Sequence, residues 1–301
     1  MKRIEIEVAE GGERLDVFLS HQVEGLSRSQ AQRLIETGMV TVNGVVTKPG
    51  RLVRPGQRIV VVIPPPEVPR LEPEPMPLSI VYEDEDVLVV DKPAHIPVHP
   101  GPGHPRGTLV NALLALRPQL KQVGEEIRPG IVHRLDKGTS GLLLVAKNLR
   151  AHRHLVEELK ARRVYKLYLA LAHGLPTPPQ GIINAPIGRH PKERKRMAVV
   201  EGGRPAETRY SLREALGRCA LLEVEPITGR THQVRVHLAY LGHPIVGDAL
   251  YGRPSHLLDR PFLHAHRLGV FLPNGRWEEF TSSLPPDLEA VLTAIRNGAS
   301  P

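Results

Sequence analysis

The sequence holds a single cysteine, Cys219, so no internal disulfide is possible and a thiolate zinc site is excluded. No apolar run approaches the ~20 residues that a membrane-spanning helix needs. The opening MKRIEIEVAEGGE alternates apolar and charged residues and has no signal-peptide core, which points to a cytoplasmic protein. Nucleotide loops are missing as well. GPGHPRGT (101–108) spaces its glycines GxGxxxG and is followed by no Gly-Lys-Ser/Thr, so both phosphate-loop patterns break. The 15 histidines invite a metal site, yet His232 and His237 lie five apart, His264 and His266 two apart, and no HExxH occurs. No metal and no cofactor are expected. There is no internal repeat.

Basic charge is abundant. Formal net charge is +8, and arginine supplies 30 of the 40 basic residues. Arginine forks onto phosphate and stacks on bases, so the excess points toward nucleic acid; a solvated basic surface is the alternative. Proline is concentrated at PPPEVPRLEPEPMP (64–77), where it makes up half of the segment. Such a stretch cannot be helix or central strand and reads as a semi-rigid spacer. The length of 301 residues suits two domains. The expected organisation is a small first domain (1–64), a linker (65–77) and a larger second domain (78–301).

In the first domain, ERLDVFLSH and SRSQAQRLIETG are helical patterns, the second opened by a Ser27–Gln30 capping box and stopped at Gly38. VTVNGVV places Asn43-Gly44 between β-branched residues, a tight hairpin, and RIVVVIP closes the unit as a strand. Arg28, Arg33 and Lys48, with Arg51 and Arg54, are candidate phosphate contacts around this frame. Asp16 falls in the first turn of a helix, where the dipole favours a carboxylate, and is read as structural.

The second domain mixes elements without regular alternation. Strands are expected at 87–91, 141–147, 164–172, 207–216, 219–226 and 261–271, and helices at 108–116, 148–163, 231–242 and 288–296. That order predicts an α+β domain with a mixed, largely antiparallel sheet.

The triplet Arg-Leu-Asp of the first domain recurs at 134–136, inside HRLDKGTSG. Here it lies in a polar loop between two apolar runs. A carboxylate so placed can be oriented and partly desolvated, as a base or nucleophile is; it can also simply cap a turn. The stretch TGRTHQVRVHLAYLGHPIVGD (228–248) would put Thr231, Arg235 and Leu238 on one helix face, and a cation from that face could pair with Asp136. The run KERKR (192–196) is either a phosphate-tracking loop or a solvated insertion.

Four ordered stretches carry a family resemblance: VLVVDKPAHIPVHPGPG (87–103), GIVHRLDKGTSGLLLVAK (130–147), RRVYKLYLALAHG (162–174) and PITGRTHQVRVHLAYLGHPIVGDALYG (226–252). Together they resemble the RluA-type pseudouridine synthases, over most of residues 78–275. SRSQAQRLIETGMVTVNG is similar to the alpha-L RNA-binding domain, over roughly residues 12–63. The pair of domains looks most like the RluD branch, which modifies large-subunit (23S) ribosomal RNA. Gly138 departs from the family pattern, where many relatives carry an acidic residue. The resemblance implies that uridine in RNA is isomerised to pseudouridine without cofactor, on ribosomal RNA or a pre-ribosomal particle. For the oligomeric state, which the sequence leaves open, a monomer is the default expectation. It implies Asp136 as the catalytic carboxylate, with Tyr168 stacked on the uracil and Arg235 paired to Asp136. It further implies that Arg134, with His133 nearby, helps fill the space left by a flipped base, that Lys166 of the Lys-x-Tyr stretch binds substrate or RNA, and that Arg230 is a candidate phosphate contact and the alternative partner of Asp136. A non-catalytic RNA-binding factor and an RNA methyltransferase are the rival classes. The intact motifs speak against the first, and the missing glycine-rich cofactor loop against the second.

Overall fold

A computed structural model describes residues 1–64, 71–101, 104–193 and 196–301. The chain divides into two compact units, 1–68 and 69–301.

The first unit has a four-stranded antiparallel sheet in the order β1 (Lys2–Glu7), β4 (Arg58–Ile63), β2 (Val40–Val42), β3 (Val45–Val46). Two helices, α1 (Leu15–Gln22) and α2 (Arg28–Glu36), pack on it. Ser27 caps α2 through the box with Gln30. Asn43 and Gly44 both take positive φ, 52° and 78°, as the two-residue hairpin requires. Leu15, Leu19, Ile35, Val40 and Ile59 form a separate core. Asp16 is fully buried there: Arg14, Arg28 and Gln32 all donate to it, and Arg14 first among them holds its carboxyl well below the usual range. Arg28 therefore has its Nε committed inside the fold, while Arg33 and Lys48 are exposed.

The second unit is built on a nine-stranded sheet. Its path runs β11 (Gln180–Asn184), β14 (Glu207–Leu216), β15 (Cys219–Pro226), β10 (Tyr165–His173), β16 (Leu263–Phe271), β9 (Ser140–Ala146), β6 (Val87–Lys92), β5 (Ser79–Glu83). All pairings are antiparallel except β9 with β16. β16 is shared along one edge. Its start pairs with β9 at His264 and Ala265, and from Arg267 onward it pairs with β17 (Trp277–Thr281). Outside this sheet lie two small ladders, β7 (Gly124–Glu125) with β8 (Arg128–Pro129) and β12 (Ile187–Arg189) with β13 (Met197–Val199).

The sheet centre is covered on both faces, which explains the unbroken apolar runs of β6 and β9. Leu142 and Leu144 pack with α4 (Leu149–Lys160), while Leu143 and Val145 pack with α3 (Leu109–Leu116). Farther along, α5 (Gln233–Tyr240) and α6 (Pro286–Arg296) pack against β10 and β15. The proline-rich segment splits in two. Residues 65–70 lie outside the described residues. Residues 71–77 are tied to the second unit: Leu71 joins its core, and Asn111 of α3 bonds the backbone of Glu72 and Glu74. Among the described residues no helix is long and apolar enough to cross a membrane.

Candidate active site

Asp136 opens a tight turn whose closing bond runs from the Thr139 N–H to the Asp136 carbonyl, 3.1 Å. The turn leads directly into β9, and its position is set by a close backbone approach. Gly141, at φ 113°, pairs with Ala265 of β16, and a Cβ there would stand 2.3 Å from the Ala265 oxygen. Only glycine lets the two strands meet.

The helix over this turn begins later than its sequence pattern suggests. α5 starts at Gln233, so Thr231 lies outside it and does not share a helix face with Arg235. His232, just ahead of the helix, takes the left-handed conformation with φ 56° and ψ 22°. Gln233 fixes this entry, accepting from Thr228 and the Arg230 N–H and donating to the Glu207 carbonyl.

Arg235 is nearly buried and forks onto Asp248, with Nε 2.7 Å and Nη2 2.9 Å from the two carboxylate oxygens. Its third nitrogen, Nη1, reaches Oδ2 of Asp136 at 3.2 Å. Burial opposes the charge on Arg235, but Asp248 and Asp136 outweigh it and raise the pKa further. Asp248, 1% exposed, is a second carboxylate that only the fold brings to the site. Its presence leaves the guanidinium one free edge, which meets Asp136. Tyr251 lies under the same guanidinium, 5.0 Å from Cζ to the ring centre.

Asp136 opens onto a cavity of about 560 Å³ lined by His133, Arg134, Lys166, Tyr168, Arg230, His232 and Arg235, among others. The residues read from the motifs thus converge. Tyr168 is half-buried, and burial together with the nearby Asp136 raises its hydroxyl pKa. Lys166 also lines the cavity, and burial lowers its pKa. Arg134 is exposed at the rim, its Nη1 3.5 Å from His99 Nε2. His133 faces the fold as well as the cavity: its Nε2 accepts the Leu144 N–H at 2.9 Å. Arg230 does not pair with Asp136; its Nε donates to the Pro205 carbonyl. Beneath the site, Lys92 is fully buried and donates to the carbonyls of Pro93 and Ile96; burial lowers its pKa to about 7, with Asp136 opposing that shift.

The histidines considered for metal have other partners. His237 bonds Thr208 and the Ala185 carbonyl, and His264 and His266 both bond the Ser282 carbonyl. Of the basic run 192–196, residues 194 and 195 lie outside the described residues, and Arg196 lies over the Tyr251 ring.

The family model for RNA pseudouridylate synthase matches residues 86–240, which spans the Asp136 turn, the Tyr168 strand and α5 through its last residue. The chain belongs to the RNA pseudouridine synthases. An S4 domain model matches residues 13–59 within the first unit. Among similar proteins is an "Uncharacterized RNA pseudouridine synthase" of Chloroflexus aurantiacus, 54% identical over 96% of this chain and 92% of its own. A "Ribosomal large subunit pseudouridine synthase D" of Nitrosomonas europaea is 44% identical over 95% of this chain and 85% of its own. A solved structure, "Human RNA Pseudouridylate Synthase Domain Containing 4", shares the fold with a TM-score of 0.58, at 27% identity, over 72% of this chain and 93% of its own. Membership makes this pseudouridine synthase an isomerase acting on uridine in RNA. No pattern in the sequence gives His232, Asp248 or Tyr251 a place in the site, although GHPIVGDALYG contains two of them.

Proposed function

We propose that this synthase acts on large-subunit ribosomal RNA and that Asp136 is its reacting carboxylate. One observation supports this role above the others: Arg235 Nη1 holds Asp136 Oδ2 at 3.2 Å, at the wall of a cavity able to take a single nucleotide. The relative named for the large ribosomal subunit, similar along nearly the whole chain, supports the substrate.

Uridine stacked in RNA has to be turned out into the cavity, at a cost of a few kcal/mol. Arg134, exposed at the rim, is suited to take the vacated space, since its planar cation stacks on neighbouring bases. Inside, Tyr168 offers a ring face for the uracil. Asp136 then either attacks the sugar carbon that bears the base or removes a sugar proton. The detached uracil turns within the cavity and rejoins the sugar through C5, which frees the Asp136 carboxylate or returns the sugar proton; the hydrogen on C5 leaves as a proton and N1 takes one up. Atoms are conserved apart from that exchange, so the reaction calls for no redox partner and no activated water. Arg235 holds the carboxylate in its aimed position, and Asp248 keeps Arg235 in place. The S4 domain, with Arg33 and Lys48 exposed, adds phosphate contacts.

The test is hydrogen release from 5-tritiated uridine in unmodified large-subunit rRNA. Wild type is expected to release tritium, and Asp136→Asn to release none while binding the RNA within about threefold of wild type. An active Asn variant would remove Asp136 from the chemistry. Release only from transfer RNA or small-subunit rRNA would correct the substrate.

A further inference from the structure

Arg235 occupies one oxygen of Asp136, and the other faces His232. The gap from His232 Nε2 to Asp136 Oδ1 is 3.9 Å. That is too long for a hydrogen bond, yet one oxygen set between them can lie about 2.8 Å from both.

The hydrogen on His232 can be located from its other nitrogen. Nδ1 lies 2.8 Å from the Tyr251 hydroxyl oxygen. That oxygen already accepts the Met197 N–H at 2.8 Å, and both groups are satisfied when it donates its own hydrogen to Nδ1. Burial keeps the imidazole neutral by lowering its pKa. A neutral ring that accepts at Nδ1 carries its hydrogen on Nε2, facing Asp136. The backbone at His232 is left-handed, uncommon for a residue other than glycine, and its ring lies toward the carboxylate.

The gap therefore has a donor on one side and an acceptor on the other. A hydroxyl group fits both. Within an RNA chain the 3′ and 5′ oxygens of each ribose are esterified, so the 2′-hydroxyl is the free one. It also sits on the carbon next to the glycosidic bond, where Asp136 has to work. We infer that His232 and Asp136 hold the 2′-hydroxyl of the target nucleotide between them and so select ribose over deoxyribose. The hydroxyl accepts from His232 Nε2 and donates to Asp136 Oδ1. This is the group through which a protein can distinguish RNA from DNA at one nucleotide. The inference rests on the proposed role of Asp136.

The experiment measures single-turnover tritium release from rRNA fragments carrying uridine, 2′-deoxyuridine or 2′-fluoro-2′-deoxyuridine at the position wild type modifies. Two variants are compared with wild type. His232→Asn tolerates the left-handed backbone but cannot reach across. Tyr251→Phe keeps the ring beside Arg235 and removes the hydroxyl that sets the tautomer. Wild type is expected to slow about 10- to 100-fold on both modified strands, the effect of one hydrogen bond involving a charged group. His232→Asn keeps the Asp136 contact and should lose about three- to tenfold of the discrimination between uridine and 2′-deoxyuridine, the share of the neutral bond from Nε2. Tyr251→Phe should fall between. Equal wild-type rates on all strands, as expected if the gap holds only water, would overturn the inference while leaving the isomerase intact. So would full discrimination retained by both variants. Absence of release on every strand overturns the reading of Asp136 and substrate, and this contact with it.

Discussion

Asp16 and Asp136 follow the same Arg-Leu pair, and their surroundings separate them. Asp16 is fully buried and its carboxylate is saturated by Arg14, Arg28 and Gln32, which leaves nothing to offer a substrate. Asp136 has one oxygen on Arg235 and the other toward the cavity. Histidine at 133 shows a similar division between fold and chemistry. Its Nε2 accepts the Leu144 N–H, so it pins the Arg134–Asp136 loop to β9 and must be neutral to do so. Burial, and then the nearby Lys166, lower its pKa to about 3 from an ordinary 6.5. Between those values the unfolded chain binds a proton that the folded chain refuses. The stability from neutral His133 is thus complete above pH 6.5 and is lost as pH falls toward 3, by at most about 1.4 kcal/mol per pH unit. NMR titration of the ring should find it neutral from pH 8 down to about 5. A midpoint near its ordinary value would show that the pin is not made in solution.

At the scale of elements, the Asp136 turn is held from below by a buried polar chain. Arg260, 2% exposed, donates to the Gly138 carbonyl at 3.1 Å and forks onto Asp287 at the start of α6, at 2.6 and 3.0 Å. Ser140 of β9 and His264 of β16 extend the chain. Arg260→Met should lower the melting temperature and slow turnover more than it weakens RNA binding, because Gly138 loses its anchor two residues from Asp136. Half-exposure of Asp287 limits the stability loss to about 1–3 kcal/mol. Unchanged turnover with a lowered melting temperature would reduce the anchor to a purely structural role. This chain of residues was not legible in the sequence, since Ser140, Arg260, His264 and Asp287 meet only through tertiary pairing. Elements with strong patterns were legible: β14 and β15 have the expected bounds, and α3 starts at its Thr108 cap. Short or polar edge strands such as β11, β12 and β17 were not, and β1 hides in the charged alternation KRIEIE. Within the site, Asp136, Tyr168 and Arg235 were legible as motif residues converging on one pocket. His232 was not, because its place depends on a left-handed backbone that no periodicity reveals.

For the whole molecule, the two units have separate cores, and of the net charge of +8 the first unit carries +1 and the second +7. If the S4 domain holds phosphates, removing residues 1–64 should weaken rRNA binding and flatten its salt dependence, by about 0.7–0.9 in logarithmic slope for each phosphate no longer neutralised. The catalytic unit should still release tritium at saturating RNA. An unchanged slope would assign RNA binding to the second unit alone.

The parallel pairing of β9 with β16 carries a consequence of timing. Ser140 and His264 stand 124 residues apart in the chain. Closing so long a loop delays their meeting, and synthesis supplies β16 only well after β9. Asp136 emerges from the ribosome early but has no seat until β16, Arg260 and α6 have followed it. A nascent or truncated chain can therefore carry every one of the four motifs up to Gly252 and still be inert. The seat of Asp136 is complete only once β16 has paired with β9.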